Sequence, residues 1–411
     1  MASFGAPMTE AQTAPQQVLG PTQTSVGRAL FLLLGGIISS AQLGKAFVAM
    51  PLLQAEMALP LTVVSFLIAT FATLGALFGM GTGLVVKRIG SRPALIGGMI
   101  VMALASLAGS QAQSPEAMMI TRVVEGIGFL GAVIAIPDVL GHVATGKDRN
   151  FFLGLWGTFM PTGTALMLLI GPALPVIGWR SLWLSQAVLA LAYAGLAYAY
   201  LPNTAANAPT GAPKIWEMAK RVLANRESRL LSAVFGLYTF QYFILAGFLP
   251  VILVTTLNLP LERATLFTAG VVAANAGGNV CAGLLARAGF PLWVNMGASL
   301  ASYALLSPLL YSLGISAEII ALLAAVNLWI AGLLPGSVFA AVPRLVRAEL
   351  VTPTMGLIQQ SSNIGQFLGP VAAGFFVTHF GWPAIPLMLV PMVALGLWSL
   401  FALRPLFKAA A

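Results

Sequence analysis

Residues 83–92 read Gly83-Leu-Val-Val-Lys87-Arg88-Ile-Gly90-Ser-Arg92, and residues 283–289 read Gly283-Leu-Leu-Ala-Arg287-Ala-Gly289. Each is a glycine, a short apolar stretch, an arginine and a second glycine, set between two long apolar runs. A second pair repeats as well: Gly171-Pro172 leads to Gly178-Trp179-Arg180, and Gly369-Pro370 leads to Gly381-Trp382. The separations are 199 residues from Gly90 to Gly289 and 203 from Gly178 to Gly381. The chain of 411 residues is written twice over. Such internal repeats, joined by a long polar segment, are a transporter architecture with a site near mid-membrane between the halves.

Composition agrees. Hydrophobic residues make up 59% of the chain and charged residues 8%, against about 25% charged in a soluble domain. That excludes an ordinary soluble protein, a disordered chain and a nucleic-acid binder. The apolar residues lie in runs of the length a helix needs to cross a hydrocarbon layer of about 30 Å. Twelve transmembrane helices are predicted: Arg28–Met50, Leu61–Gly83, Pro93–Ala112, Ala117–Leu140, Phe151–Leu174 and Leu182–Leu201, then Leu230–Val254, Ala264–Ala286, Leu292–Leu313, Ala317–Ala341, Thr354–Val377 and Trp382–Leu403. The fold class is an all-α integral membrane protein in two pseudo-symmetric six-helix halves, 28–201 and 230–411. A tail (1–27) rich in Ala, Pro, Gln and Thr is expected to be disordered. The linker 202–229 ends in Lys214–Arg229, which reads equally as an amphipathic surface helix or a solvated connection.

Charge sorts by side. With the N-terminus inside, sixteen Lys and Arg residues fall on inner segments and only Arg180 and Arg263 on outer loops. This asymmetry sets both termini in the cytoplasm, and it accounts for most of the net charge of +9 as contacts with anionic lipid. A multi-pass protein of the inner (plasma) membrane is expected. The single cysteine, Cys281, and the two histidines exclude a disulfide scaffold and a His- or Cys-based metal site, and no cofactor or nucleic-acid partner is expected.

On these residues the chain resembles the major facilitator superfamily over nearly its full length. Gly83 to Arg92 is similar to that family's inner-loop motif, with Lys87 in place of the usual aspartate, and Arg122-Val-Val-Glu125-Gly126-Ile-Gly128 is similar to its helix-4 motif. Phe47-Val-Ala-Met-Pro51 and Gly154-Leu-Trp-Gly-Thr-Phe-Met-Pro161 weakly resemble the cyanate/nitroimidazole-like bacterial carriers. The resemblance implies a rocker-switch secondary transporter whose cavity is lined by the first, fourth, seventh and tenth helices. It also implies gating at Asp138, Arg88, Arg92, Gly83 and Gly90, with a static helix-end ion pair at Asp138 as the alternative. A monomer is expected.

Four strongly charged residues lie inside predicted helices away from their ends: Lys45, Arg122, Glu125 and Asp138. A charge at mid-membrane costs roughly 3 kcal/mol or more and is a functional candidate by default. Lys45 and Arg122 both sit five residues from an outer helix end, about 7–8 Å deep. Gln42 shares a face with Lys45, and Glu125 with Arg122. Two bases against one acid suit a carboxylate or other small anion, with Arg122 offering a two-pronged fork. Alternatively Lys45 snorkels outward, and Arg122 with Glu125 is a structural ion pair. Glu125 is the natural proton acceptor if transport is proton-coupled.

The second half has only uncharged polar residues deep in its helices. Tyr238, Gln241 and Tyr242 on the seventh helix and Asn327 on the tenth are assigned to the substrate cavity. Asn275, Asn279, Gln359, Asn363 and Gln366 are assigned to helix-helix adhesion, and Gly75, Gly79 and Gly83 to close packing. Asp-x-x-Asp clusters and a phosphate-binding Gly-x-x-x-x-Gly-Lys-Ser/Thr loop are absent from the sequence, so a metal-dependent membrane transferase and an ATP-driven pump are excluded. Met388 and Met392 lie on the twelfth helix, which the resemblance places at the lipid-facing periphery, away from the cavity a copper carrier would use. Uptake of a small organic anion is the expectation, with efflux of an amphipathic compound by proton antiport as the alternative.

Overall fold

The computed structural model describes residues 24–145, 148, 152, 155–201, 215–312 and 314–409, except the side chains of 83, 84, 87, 88, 215, 216, 218, 287, 343, 348, 349, 352, 353, 408 and 409. Tail residues 1–23, linker residues 202–214, Lys147, Arg149 and the Lys87 and Arg88 side chains therefore lie outside the described residues. Among the described residues every regular element is helical. The first half holds α1 (Val26–Glu56), α2 (Leu61–Ala69), α3 (Thr73–Ile89), α4 (Ser91–Ser110), α5 (Pro115–Val143), α6 (Phe159–Leu168) and α7 (Leu174–Tyr200). The helix α8 (Ile215–Ala224) precedes α9 (Arg226–Val251), α10 (Leu261–Arg287), α11 (Leu292–Leu310), α12 (Ala317–Ala331), α13 (Leu333–Leu345), α14 (Ala348–Phe380) and α15 (Ile385–Ala409). Nine helices among the described residues are long and apolar enough to cross a membrane, one of them the 42-residue Phe159–Tyr200.

Starts and stops follow local chemistry. Ser114 accepts a hydrogen bond from the Ala117 amide at 3.2 Å ahead of Pro115, and Asn225 accepts one from the Ser228 amide at 2.9 Å. Each satisfies a donor that the first turn leaves unpaired. The Asn225 cap starts α9 at Arg226, inside the stretch read as linker, and α8 supplies a helix for its second part. Likewise α1 begins at Val26 and runs through Pro51 to Glu56, six residues past the predicted end.

Among the described residues four glycines have positive φ: Gly90 (90°), Gly178 (73°), Gly289 (79°) and Gly381 (77°). They are the two repeat pairs of the sequence. Gly90, Gly178 and Gly381 combine this φ with ψ of 146°, 156° and 172°, at or near a region that only glycine adopts without strain. Each turns the chain from one helix to the next within a single residue. The predicted loop 83–92 is corrected accordingly: Gly83 is helical, α3 continues to Ile89, and Gly90 alone separates α3 from α4. Leu84 to Val86 sustain the helix, and only the glycine backbone ends it.

Within the first half α4 packs on α5 and α7, and α1 on α5 and α6; within the second, α9 packs on α14, α10 on α12 and α11 on α15. Two seams join the halves: α2 and α3 lie along α14, and α6 lies along α10. Small residues let the seams close. A Cβ on Gly75 would stand 2.5 Å from Asn363 Cγ, and one on Gly171 would stand 1.8 Å from Thr265 Oγ1. Gln360 of α14 donates to the Ala76 carbonyl of α3 at 3.0 Å, tying one seam directly. At the centre, Ser39–Pro51 of α1 and Gln241–Leu253 of α9 and its extension are buried without interruption. Phe47 and Phe243 meet there edge to face, with centroids 6.3 Å apart.

Candidate functional site

The buried charges converge from α1 and α5. Lys45 Nζ lies 2.6 Å from Glu125 Oε1, 2.6 Å from Ser106 Oγ and 2.7 Å from Gln42 Oε1. An ammonium has three protons, and all three are used. The Trp183 ring lies 4.7 Å from Nζ, and Ser106 in turn donates to the Trp183 carbonyl at 2.8 Å. Lys45 and Glu125 are fully buried. The ammonium thus turns inward to the carboxylate rather than outward along its stem, which overturns the snorkelling alternative.

Arg122 is held on one side only. Its Nη1 donates to Glu125 Oε2 and to the Gln42 carbonyl at 2.8 Å, while its Nε and Nη2 are buried without a protein partner among the described residues. The guanidinium rests on the Phe71 ring at 4.5 Å. Phe71 belongs to the 3-10 turn Thr70–Ala72 between α2 and α3, where Gly126 of α5 lets the backbone approach: a Cβ on Gly126 would stand 2.0 Å from the Phe71 carbonyl oxygen. Nε and Nη2 form one edge of the planar guanidinium, the geometry that takes two oxygens of a carboxylate at once. Gln42 serves the cluster three ways, accepting from Lys45 and Arg122 and donating to the Gln186 carbonyl at 3.3 Å.

Sequence reasoning picked out Lys45, Arg122, Glu125 and Gln42, but missed Phe71, Ser106 and Trp183. A phenylalanine, a serine and a tryptophan in apolar helices carry no signal until the helices are packed. Trp183, at least, lies four residues after the repeat's Trp179, and the two rings stand 5.6 Å apart.

The second-half polar residues are equally buried. Tyr238 and Tyr242 stand with centroids 6.0 Å apart, and the Tyr238 hydroxyl accepts from Asn275 Nδ2 at 3.3 Å. Asn275 also donates to the Leu328 carbonyl at 2.8 Å, which ties α10 to α12, whereas Asn279 donates to the Asn275 carbonyl at 3.0 Å within α10 itself. Gln241 Nε2 donates to the Leu237 carbonyl at 2.9 Å and Asn327 Nδ2 to the Ser302 carbonyl at 3.1 Å. The acceptor oxygens Gln241 Oε1 and Asn327 Oδ1 are buried without a protein partner among the described residues.

Near the turn at Gly90, Asp138 Oδ2 accepts from Ser91 Oγ at 2.5 Å, a contact absent from the sequence expectation. Arg92 donates to the Tyr198 carbonyl and lies 5.3 Å from the Tyr198 ring. At the other end of the half, Glu56 accepts from Trp179 Nε1 and Arg180 Nη1, both at 2.8 Å, pinning the end of α1 to the Gly178 turn.

Two bundles of apolar helices, joined along two seams and with a charge cluster buried in the first, have the make-up of a membrane transporter. The chain belongs to the Major Facilitator Superfamily, whose family model matches residues 32–361. A 146-residue stretch is 30% identical to the methylenomycin A resistance protein of Streptomyces coelicolor, covering 34% of this chain and 29% of that protein. A 222-residue stretch is 26% identical to the inner membrane transport protein YajR of Escherichia coli, covering 52% of this chain and 48% of YajR. A stretch covering 30% of this chain and 21% of the relative is 28% identical to the multidrug transporter AQR1 of Candida glabrata. The matched stretches span less than half of these relatives' own lengths. A bacterial homolog of the human lysosomal transporter Spinster, solved in an inward-facing and unoccupied conformation, shares the fold at a TM-score of 0.69 and 17% identity, over 93% of this chain and 94% of that one.

Proposed function

We propose that this secondary transporter moves a small organic anion, a carboxylate above all, by alternating access across the inner membrane. The observation that carries the reading is the Nε–Nη2 edge of Arg122, buried and unpartnered among the described residues beside a second cation and a single carboxylate. Twelve crossings fit the helices: Phe159–Tyr200 has length for two passes about the turn at Gly178, and Leu292–Leu310 and Ala348–Phe380 have length for one each. The charge asymmetry of the loops favours both termini inside. Glu125 is the proton-carrying candidate, since losing its charge would free both Lys45 and Arg122, and Asp138 with Ser91 is the gating candidate. The chain acts as a monomer on this reading.

Reconstitution tests it. Arg122→Gln and Lys45→Gln in proteoliposomes are each expected to lower carboxylate transport by about ten-fold or more, and transport of every anion tried surviving both changes overturns the anion site. A second reading, efflux of an amphipathic compound by proton antiport, is favoured by the resistance protein and the multidrug transporter among the relatives. It predicts drug-driven proton movement that is indifferent to Arg122→Gln.

The seam supplies a separate test of alternating access. In Gly75→Leu the new side chain meets Asn363 where a Cβ alone would stand 2.5 Å away. Overpacking costs about 1–3 kcal/mol, and only conformers with the seam closed bear it. Transport is expected to fall roughly ten-fold with substrate affinity changed less; an unchanged rate would show that the seam does not need to close.

A further inference from the structure

Four of the chain's seven tyrosines lie in the core of the second half. Tyr238 and Tyr242 come from α9 and Tyr303 from α11; Tyr311 caps that same helix. Gln241 shares the α9 face of Tyr238, three residues on. Asn327 joins through its hydrogen bond to the carbonyl of Ser302, the neighbour of Tyr303. The cluster borders the contact between the halves, because Tyr242 packs edge-on against Phe243 at 5.1 Å and Phe243 faces Phe47. Phe47 in turn lies two residues beyond Lys45 on α1.

Its hydrogen bonding is incomplete. The Tyr242 and Tyr303 hydroxyls, Gln241 Oε1 and Asn327 Oδ1 are all buried without a protein partner among the described residues. Their residues are at most 4% exposed. Buried polar atoms are almost always paired, and one left unpaired costs about 1–3 kcal/mol. The two amide oxygens can only accept, and their own N–H groups are spent on the Leu237 and Ser302 carbonyls. A partner for the two amides must bring donors, and the two hydroxyls can accept from it or donate to it. This wall carries no formal charge, unlike the Lys45–Arg122 cluster of the first half.

We infer that the tyrosine wall takes the hydroxyl or amide N–H groups of the transported anion, so that the substrate class is a hydroxylated or amide-bearing carboxylate rather than an aliphatic one. This rests on the anion reading above: the carboxylate goes to the free edge of Arg122 and the donor-bearing body to Tyr242, Tyr303, Gln241 and Asn327. Specificity then comes from the second half and charge selection from the first. A site built to pair with a substrate hydroxyl rejects an analogue that lacks it far more strongly than an apolar pocket rejects a missing methylene.

Matched acids separate the two ideas. Binding of 2-hydroxypropionate and 2-methoxypropionate, and of 4-hydroxyphenylacetate and 4-methoxyphenylacetate, is measured on the full-length purified protein by thermal shift and by competition in proteoliposomes. In each pair the ether keeps the oxygen and loses the donor. In at least one pair the hydroxy acid is expected to bind about ten-fold tighter or more than its ether, with the ratio falling towards one in Tyr242→Phe/Tyr303→Phe. Should that double variant melt well below the parent, Gln241→Met provides the same comparison at a different atom. Equal binding of acid and ether, lost in Arg122→Gln, overturns the inference and leaves the anion reading standing. A ratio that survives the tyrosine and glutamine changes also overturns it, whereas failure of every carboxylate to bind brings down the anion reading and the inference together.

Discussion

Glu125→Gln is expected to destabilise the protein by about 3–5 kcal/mol, the cost of removing one partner from a buried ion pair. Glu125 accepts from Lys45 Nζ at 2.6 Å and from Arg122 Nη1, and the three side chains are at most 1% exposed. The neutral amide leaves two buried cations without a counter-charge, in a setting where water cannot screen them. A lower midpoint of thermal unfolding in detergent checks this. The compensating variant Lys45→Met/Glu125→Gln restores the balance to one uncompensated cation, as in the parent, and is expected to recover part of the loss. If the double variant is as unstable as the two single changes added together, the pair is not coupled and the cluster has been misread.

The second large effect is at a glycine. In Gly126→Val the new Cβ stands 2.0 Å from the Phe71 carbonyl oxygen and 3.0 Å from its carbon. These are backbone atoms of the turn between α2 and α3, so they move only if α2 and α5 part. We expect a loss of about 3 kcal/mol, the upper end of the overpacking range, together with loss of anion binding as Phe71 leaves its place under Arg122, 4.5 Å away. Gly97→Ala is the control. Nothing lies within 4 Å of a Cβ at Gly97, and a glycine-to-alanine change inside a helix is then worth about 0.5–1 kcal/mol in favour of folding. A Gly126 variant as stable as the Gly97 control contradicts the close approach of the two helices.

Much of this molecule was legible without coordinates because a membrane simplifies the problem. Unpaired backbone groups cannot be left in hydrocarbon, so long apolar runs must be helices, and the rarity of charge inside them made Lys45, Arg122 and Glu125 visible. The pairing of Arg122 with Glu125 followed from a spacing of three on one helix. That Lys45 shares their depth followed too, but its direct contact with Glu125 did not, because a lysine near a helix end can also turn outward. Nor did the roles of Ser106, Trp183 and Phe71, whose residue types are ordinary in apolar helices and whose part depends on what α1 and α5 bring against them. The polar stripe of α9 was legible as a face; Tyr303 of α11, a single tyrosine in an apolar run, was not singled out.

The repeat shows the division most clearly. Gly90, Gly178, Gly289 and Gly381 stand out in the sequence by their spacing, and each has the positive φ that L side chains resist, so local sterics alone place the four turns. What the turns bring together is another matter. Whether Lys45 faces lipid, water or Glu125 depends on the rotation of α1 against α5 and α7, set by the packing of dozens of side chains. Local chemistry therefore determined the helices, their turns and the twofold plan. Only tertiary packing decided that one edge of Arg122 is satisfied and the other left free.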